Sequence, residues 1–259
     1  MPGQSFRGFA EKVALVTGGA RGVGRAVALS LALEGAYVVV SHAPDDAEGG
    51  SVAAELREMG TLAHAFAADV SSAADVLGLF DSVGETFGRL DLLVNASGAG
   101  RERPIEELTD EDWQEVVGQS LKGAFLSTRA ALPLMRGRAS AAVVNVCSEF
   151  GLTGGGGGAA YVAAQAGLVG LTKALARELA PRVRVNCVAV GGASLDEVGG
   201  RSSGGGGGGM AGAPGDAARS ESSRGRAPAA DEVARACLYL LSSDARSITG
   251  ETLVVGRGR

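Results

Sequence analysis

Apolar runs and amphipathic stretches alternate along the chain, and this alternation restricts the possible folds more than any other feature. Short apolar strands, each followed by helical periodicity, build βαβ units and a parallel sheet. Strands are predicted at residues 13–17, 37–41, 62–70, 90–96, 142–147, 183–190 and 252–255. Helices are predicted at residues 21–34, 45–59, 72–87, 109–135, 159–180 and 229–241. The sequence therefore predicts one α/β domain over residues 1–259, a doubly wound parallel seven-stranded sheet of Rossmann type with helices on both faces.

Composition and charge exclude several classes of protein. Hydrophobic residues make up 46% of the chain and charged residues 20%, which suffices for a globular core. A net charge of −5 argues against a nucleic-acid or anionic-membrane surface. No apolar run reaches the roughly 18 residues of a transmembrane helix, and the first twelve residues lack the apolar segment of a secretory signal. We therefore expect a soluble cytoplasmic protein that binds neither nucleic acid nor membrane.

Cysteine and glycine usage add two expectations. The three cysteines, Cys147, Cys187 and Cys237, are widely spaced and odd in number, which favours small core residues in a reducing compartment over disulfides or a metal site. No metal is expected. Residues 191–227 are rich in Gly, Ser and Arg without apolar periodicity, so we expect a long flexible loop that acts as a lid over the substrate.

A glycine-rich turn, TGGARGVG at residues 17–24, lies between the first predicted strand and the first helix. Gly18 permits a tight turn, Gly22 lets the backbone approach a pyrophosphate, and Gly24 allows close helix–strand packing. With Val23, these residues would place the phosphates of a dinucleotide at the helix N-terminus. An ordinary glycine-rich βα turn is the alternative, and the position directly after strand one disfavours it.

Several segments together resemble the short-chain dehydrogenases/reductases, over about residues 12–255. Residues 17–24 are similar to the family's TGxxxGxG, and Ser148 and Tyr161 stand thirteen residues apart, as its catalytic serine and tyrosine do. The other matching segments are Asp69-Val70, Asn95-Ala96-Ser97-Gly98, Val185-Asn186 and Ile248-Thr249-Gly250. The chain resembles in particular bacterial reductases of the 3-oxoacyl-carrier-protein and polyketide ketoreductase type.

The resemblance implies a set of cofactor contacts. Asp69 and Val70 match the pair that binds adenine. Asn95, Ser97 and Gly98 match the segment after strand four, although the family's second Asn is replaced. Gly191, after strand six, matches the glycine of the family's Pro-Gly.

The end of the second strand bears on the choice of nucleotide. An Asp there would bind the ribose 2′-hydroxyl of NAD, but the sequence has Ser41-His42-Ala43, with no carboxylate until Asp45. The Arg21 guanidinium suits a 2′-phosphate. We therefore expect NADP(H), bound with the help of Arg21 and His42, although both could be solvated loop residues.

The catalytic pattern of the family is only partly present. In the family the tyrosine is the general acid/base, the serine hydrogen-bonds the carbonyl oxygen, and a lysine four residues after the tyrosine binds the nicotinamide ribose and lowers the tyrosine pKa. Ser148 and Tyr161 match, but Gln165 stands in the lysine position and Ser120 in that of the relay asparagine. The i, i+4 spacing keeps Gln165 on the tyrosine's face of the helix.

Two further positions depart from the family. The threonine expected to meet the nicotinamide carboxamide falls on Leu195, and Glu149 follows Ser148 directly. Glu149 could be a replacement acid/base or a solvated loop residue.

Three functions are compatible with these departures. The first is a weakened or retuned NADP(H)-dependent ketoreductase on a fatty-acid- or polyketide-like carbonyl, in a small-molecule substrate or one bound to a carrier protein. The second is a non-redox cyclase, dehydratase or isomerase using Tyr161 and Ser148, with no functional nucleotide. The third is a catalytically inactive partner subunit or nucleotide sensor. The resemblance also implies a homo-oligomer, dimer or tetramer, formed through helices 109–135 and 159–180.

Overall fold

One parallel sheet organises the protein. The computed structural model describes residues 8–46, 49–100, 103–138, 140–155, 158–191 and 228–256. Its strands are β1 (Val13–Thr17), β2 (Tyr37–His42), β3 (Ala63–Ala67), β4 (Leu92–Asn95), β5 (Ala141–Ser148), β6 (Val183–Val190) and β7 (Thr252–Val255). They pair in parallel in the order β3-β2-β1-β4-β5-β6-β7. The predicted doubly wound α/β fold is confirmed.

The helices cover both faces of this sheet. They are α1 (Gly22–Leu33), α2 (Gly49–Glu58), α3 (Ala73–Phe87), α4 (Asp110–Val117), α5 (Gly123–Met135), α6 (Phe150–Thr153), α7 (Gly158–Leu179) and α8 (Ala230–Leu241). Alternate strand residues point to opposite faces, so Ala14 and Val16 join one core with α1, α2 and α8, whereas Val13 and Leu15 join the other with α3, α5 and α7. Burial on both faces explains why the strands read as nearly continuous apolar runs.

Most element boundaries lie within two residues of the predicted ones, but two differ by more, one predicted helix is divided, and the short helix α6 was not predicted. The third strand ends at Ala67 rather than residue 70, and α2 begins at Gly49 rather than residue 45. The predicted helix 109–135 is divided into α4 and α5 by a π-helical turn, Gly118–Lys122. Apolar periodicity carries no signal for one turn of i, i+5 hydrogen bonding, which in other proteins often marks a functional position.

Helix α7 is long and apolar enough, by length and composition, to cross a membrane, with a mean hydropathy of 1.2 over the tested window. About 44% of that window is buried inside the protein, where α7 packs against the sheet. A core helix of an α/β domain has the same properties.

The three cysteines are free and buried, which confirms them as core residues. The Cys187 Sγ lies 3.1 Å from the Cys147 Sγ, and burial raises the pKa of Cys237 to about 12. Among the described residues no group of three or more His, Cys, Asp or Glu side chains is arranged to hold a metal ion. The predicted lid falls almost wholly on residues 192–227, which lie outside the described residues, as does Leu195.

Candidate active site

The candidate site lies at the carboxyl ends of the strands, where the strand order reverses between β1 and β4. Thr17 and Asn95, the last residues of these strands, are paired in register, and the Ala96 amide donates to the Thr17 Oγ1 at 3.2 Å. Ligands of open α/β sheets bind in the crevice beside such a reversal. Ser148 ends β5 and Gly191 follows β6 at the same edge.

The glycine-rich turn is shaped by close backbone contacts. Gly18 has a φ of +64°, and a Cβ there would lie 2.9 Å from the Ala96 carbonyl oxygen and from the Cα of Ser97. A Cβ on Gly24 would lie 2.2 Å from the Gly18 carbonyl oxygen. Gly22 also has a positive φ, +54°. These positions exclude side chains, as a cradle for a phosphate group requires.

Helix α1 begins at the end of this turn. Its first turn holds no acidic residue, and its N-cap, Arg21, makes no capping hydrogen bond through its side chain. Val23 packs into the core beneath, 5% exposed. The first amide groups of a helix without a capping side chain, together with the helix dipole, suit an anion such as a pyrophosphate.

At the end of β2 the structure shows an ion pair that the sequence did not predict. The Arg21 guanidinium forms an ion pair with the Asp46 carboxylate, in the segment between β2 and α2. The His42 Nδ1 lies 2.9 Å from the Ala43 carbonyl oxygen, and Gly49 packs against the imidazole ring. Sequence analysis did not identify Asp46. The spacing could have identified this residue. Asp46 follows Gly24 by 22 residues, and dinucleotide folds hold a ribose-binding carboxylate about 20 residues beyond the glycine motif.

Asp69 is held in a defined geometry beyond the end of β3. Its Oδ1 accepts hydrogen bonds from the Ser71 amide at 2.9 Å, the Ser71 hydroxyl at 2.7 Å and the Gln119 Nε2 at 2.8 Å. Burial alone would raise the pKa of the Asp69 carboxyl, but these hydrogen bonds and the nearby Lys122 charge outweigh burial and lower it. Val70, 3% exposed, packs against Gly123. Asp69 is therefore a fixed anionic acceptor.

The Asn95 side chain takes part in a buried polar chain. Its Nδ2 donates to the Asn145 Oδ1 at 2.8 Å and to the Thr128 Oγ1 at 3.2 Å, and the Asn145 Nδ2 donates to the Thr172 Oγ1 at 2.8 Å. This chain ties the end of β4 and the interior of β5 to α5 and α7. Sequence analysis missed Asn145, although a lone amide inside an apolar strand was a usable signal. Ser97 packs against Gly18.

Gln165 contacts Ser148 directly. The Gln165 Oε1 accepts a hydrogen bond from the Ser148 amide at 2.9 Å, and the Ser148 Oγ accepts one from the Phe150 amide at 3.2 Å. Gln165 is fully buried, and Gly151 packs on its backbone so closely that a Cβ would lie 2.6 Å from the Gln165 carbonyl carbon. The glutamine side chain thus braces the end of β5 against α7.

Tyr161 lies one helical turn before Gln165. It is 3% exposed and packs with Val116, Ala160 and Ala164. Ser120 lies in the π-helical turn, and a Cβ on Gly98 would be 3.3 Å from its hydroxyl oxygen. The structure therefore brings Ser148 and Gln165 into contact, places Tyr161 one turn before Gln165 on the same helix, and places Ser120 beside the segment that follows β4.

Two polar atoms of this group have no hydrogen-bond partner in the part of the chain that the structure describes. They are the Ser120 Oγ and the Gln165 Nε2, both buried. Buried donors normally find partners, and such exceptions are often sites for a water or a ligand.

The Glu149 side chain lies beside the end of β6, the strand next to β5 in the sheet. Its amide donates to the Val190 carbonyl oxygen at 2.9 Å, and its Oε2 lies 2.9 Å from the position a Cβ would take on Gly191. The Gly191 amide donates to the Val255 carbonyl oxygen at 2.8 Å. A carboxylate therefore stands beside the end of β6.

A parallel seven-stranded sheet with a glycine cradle at the reversal of strand order is a Rossmann-type α/β fold. The family model described as short chain dehydrogenase matches residues 12–201, and the chain belongs to this family.

Curated relatives match over nearly the whole chain. The 3-oxoacyl-[acyl-carrier-protein] reductase FabG of Staphylococcus aureus (strain Mu50) is 36% identical over 248 residues, which cover 95% of this chain and 97% of the relative. The enzyme of the same name from Escherichia coli (strain K12) is 34% identical over 251 residues, covering 96% of this chain and 98% of the relative. The 3-oxoacyl-[acyl-carrier-protein] reductase of Synechocystis sp. is 42% identical over 181 residues, covering 70% and 73%.

Proposed function

We propose that this protein is an NADP(H)-dependent ketoreductase with a weakened or retuned catalytic centre. The substrate would be a carbonyl compound of fatty-acid or polyketide type, carried on an acyl carrier protein as the names of the relatives indicate for theirs. The proposal rests chiefly on the contact between Ser148 and Gln165 at the end of β5, on the same sheet edge as the glycine cradle, with Tyr161 one helical turn before Gln165 on α7.

The residues present fit a dinucleotide. The cradle at Gly18 and Gly24 leaves no room for side chains, the first turn of α1 suits a pyrophosphate, and Asp69 is a fixed acceptor of the kind an adenine amino group needs. When bound, the reduced nicotinamide would supply the hydride. The chain's own residues then have to orient the carbonyl and deliver a proton to its oxygen.

Tyr161 and Ser148 have the chemistry for these two tasks. The tyrosine phenol can donate its proton to the carbonyl oxygen, and the Ser148 hydroxyl can hydrogen-bond the same oxygen. Reduction therefore needs no phenolate, whereas alcohol oxidation needs a tyrosine base. We expect oxidation to be impaired more than reduction.

Gln165 replaces a cation with a neutral amide. A charge-assisted hydrogen bond contributes roughly 1.5–3 kcal/mol, so its loss corresponds to about 10- to 200-fold in rate. The amide oxygen is already used by the Ser148 N–H, which leaves only the Nε2 to donate toward a ligand. A slow reductase is the expected result.

The first test is calorimetric titration of the purified protein with NADPH and, in parallel, NADH. Micromolar binding with NADPH preferred supports the proposal. The second test offers NADPH and a panel of carbonyl substrates, including carrier-bound 3-oxoacyl chains, to the wild type and to Gln165→Lys. NADPH oxidation above background supports the proposal. No oxidation by either protein, both folded, would refute it.

A non-redox reaction is the second candidate, because Glu149 places a carboxylate beside Gly191, at the other edge of the same site. In that case Tyr161, Ser148 and Glu149 would polarise a carbonyl and move a proton in a cyclisation, dehydration or isomerisation. The test is to incubate candidate substrates with the protein in the absence of any nicotinamide and to analyse the products. Turnover under these conditions supports a non-redox reaction, and no turnover counts against it. Unchanged turnover in Tyr161→Phe counts against this candidate.

We further propose a homo-oligomer built through α4, α5 and α7. Trp113 and Phe125 are 43% and 41% exposed on these helices, and Arg129 lies over the Phe125 ring, 5.0 Å from its centroid. Large exposed aromatic side chains are typical of interfaces. Light scattering tests this: a dimer or tetramer supports it, and a monomer at micromolar concentration refutes it.

A further inference from the structure

The ion pair between Arg21 and Asp46 differs from a surface salt bridge in its asymmetry. The Asp46 side chain is only 6% exposed, whereas the Arg21 side chain is 41% exposed. A carboxylate withdrawn from water needs a charged partner, and the arginine supplies it. The pair is thus a fixed part of the structure, with the guanidinium on its outer side.

The position of the pair relates it to the ribose of a dinucleotide. Arg21 ends the glycine-rich turn directly before α1, and Asp46 lies in the segment that follows β2. The two segments are joined by the Gly19 amide, which donates to the Ser41 carbonyl oxygen at 3.0 Å. In dinucleotide folds the ribose hydroxyl, or the 2′-phosphate that replaces it, lies between this turn and the end of the second strand.

Arg21 alone would favour a 2′-phosphate, but Asp46 cancels its charge. The pair has a net charge near zero, and the carboxylate repels a phosphate that approaches the guanidinium. A ribose hydroxyl carries no charge and is not penalised in this way.

We propose that Asp46 is a specificity-determining residue, which neutralises Arg21 and thereby reduces the preference of the site for 2′-phosphorylated dinucleotides. The inference rests on the proposed function, since it presumes that the site binds a dinucleotide. We therefore expect the protein to prefer NADPH over NADH only modestly, because the negative charge of Asp46 offsets the positive charge of Arg21.

The experiment measures binding rather than turnover. NADPH and NADH are titrated calorimetrically into the wild type, Asp46→Asn and Arg21→Gln. Asp46→Asn keeps a hydrogen-bonding group beside Arg21 and removes the charge, so we expect the Kd for NADPH to fall on the order of tenfold while that for NADH changes less than about twofold. Arg21→Gln keeps a donor for Asp46 but removes the positive charge, so it is expected to weaken NADPH binding by a similar factor or more and to weaken NADH binding less.

The matched control is Glu55→Gln. Glu55 pairs with Arg25, one turn further along α1, with an N–O distance of 2.6 Å, and its side chain is 40% exposed. This variant makes the same change in net charge without touching Arg21, and we expect both affinities to stay within about twofold. A gain in NADPH affinity equal to that of Asp46→Asn would show a general charge effect and overturn the assignment.

The remaining outcomes separate this inference from the proposed function. Unchanged or weaker NADPH binding by folded Asp46→Asn overturns the inference and leaves the proposed function intact. A selective loss of NADH affinity also overturns it, because Asp46 would then contact the ribose directly. Failure of the wild type to bind either nucleotide refutes the proposed function, and the inference with it.

Discussion

The glycine-rich turn and the Ser148–Gln165 contact lie at the same edge of the sheet, but one is built from backbone and the other from side chains. At Gly24 an added Cβ would meet the Gly18 carbonyl oxygen at 2.2 Å, so nothing but glycine fits without a shift. At Gln165 the amide oxygen accepts the Ser148 N–H, and the helix is unbroken around it. The glycine-rich turn is the backbone-defined half of the site, and it resists substitution. The region of Ser148, Tyr161 and Gln165 is the side-chain-defined half, and its chemistry can change while the fold is kept.

The largest effect that would test this comparison is expected at Tyr161. Loss of the phenol in Tyr161→Phe removes the proton donor, so the rate of the reaction with NADPH should fall roughly 10²- to 10⁴-fold. The Kd for NADPH should stay within about twofold, because the phosphate cradle is untouched. Tyr239→Phe, on α8, is the control and should leave both quantities unchanged. Equal turnover in Tyr161→Phe and the wild type would contradict the role of the tyrosine.

The next largest effect is expected in the backbone-defined half. In Gly24→Ala the added Cβ forces the turn apart, and NADPH affinity should fall on the order of hundredfold, as measured by calorimetry. Gly78→Ala makes the same change on α3, where a Cβ would meet nothing within 4 Å, and should leave binding unchanged. Its free energy of unfolding should rise by about 0.5–1 kcal/mol. Normal NADPH binding by Gly24→Ala would remove the contrast between the two halves.

A smaller effect should follow from Gln165→Leu. The substitution leaves the buried Ser148 N–H without its acceptor, which costs about 1–3 kcal/mol of unfolding free energy. Each kcal/mol lowers the Tm by roughly 2–4 °C in a chain of this size. Gln114→Leu makes the same change at an exposed position of α4, and its free energy of unfolding should change by less than about 0.5 kcal/mol. If thermal melts show equal stabilities, the glutamine does not brace the end of β5.

The smallest effect concerns the pH dependence of stability. The folded protein lowers the pKa of Asp69 below its usual value, so its carboxylate stabilises the fold above about pH 4, and this contribution is lost as the pH falls through the folded pKa. Asp69→Asn should lose less than about 1 kcal/mol at pH 7, since the group is partly exposed, and should show a shallower loss of stability below pH 4. Asp81→Asn, on an exposed face of α3, is the control. Parallel pH profiles of Asp69→Asn and the wild type would contradict the assigned hydrogen bonds.

Local patterns were sufficient for most of the fold. Apolar runs indicated the seven strands of the described residues, and β1, β6 and β7 have the predicted bounds. Most residues of β1 and β6 are apolar because helices cover both faces of the sheet. The predicted start of α2 was wrong because residues 45 and 46 follow β2 in a turn, where Asp46 pairs with Arg21. The π-helical turn at Ser120 could not be predicted either, because a change from i, i+4 to i, i+5 hydrogen bonding over one turn does not alter the hydropathy pattern.

The sequence by itself determined the glycine cradle and the doubly wound sheet, because backbone conformation and apolar periodicity are local properties. The candidate catalytic residues came from the resemblance to the short-chain dehydrogenases/reductases rather than from periodicity. Only the tertiary structure decided the partners of those residues. Gln165 contacts Ser148 across 17 residues, Arg21 meets Asp46 across 25, and Asn95 meets Asn145 across 50. Such contacts depend on how the strands and helices pack, and packing brings together side chains whose separation along the chain carries no periodic signal.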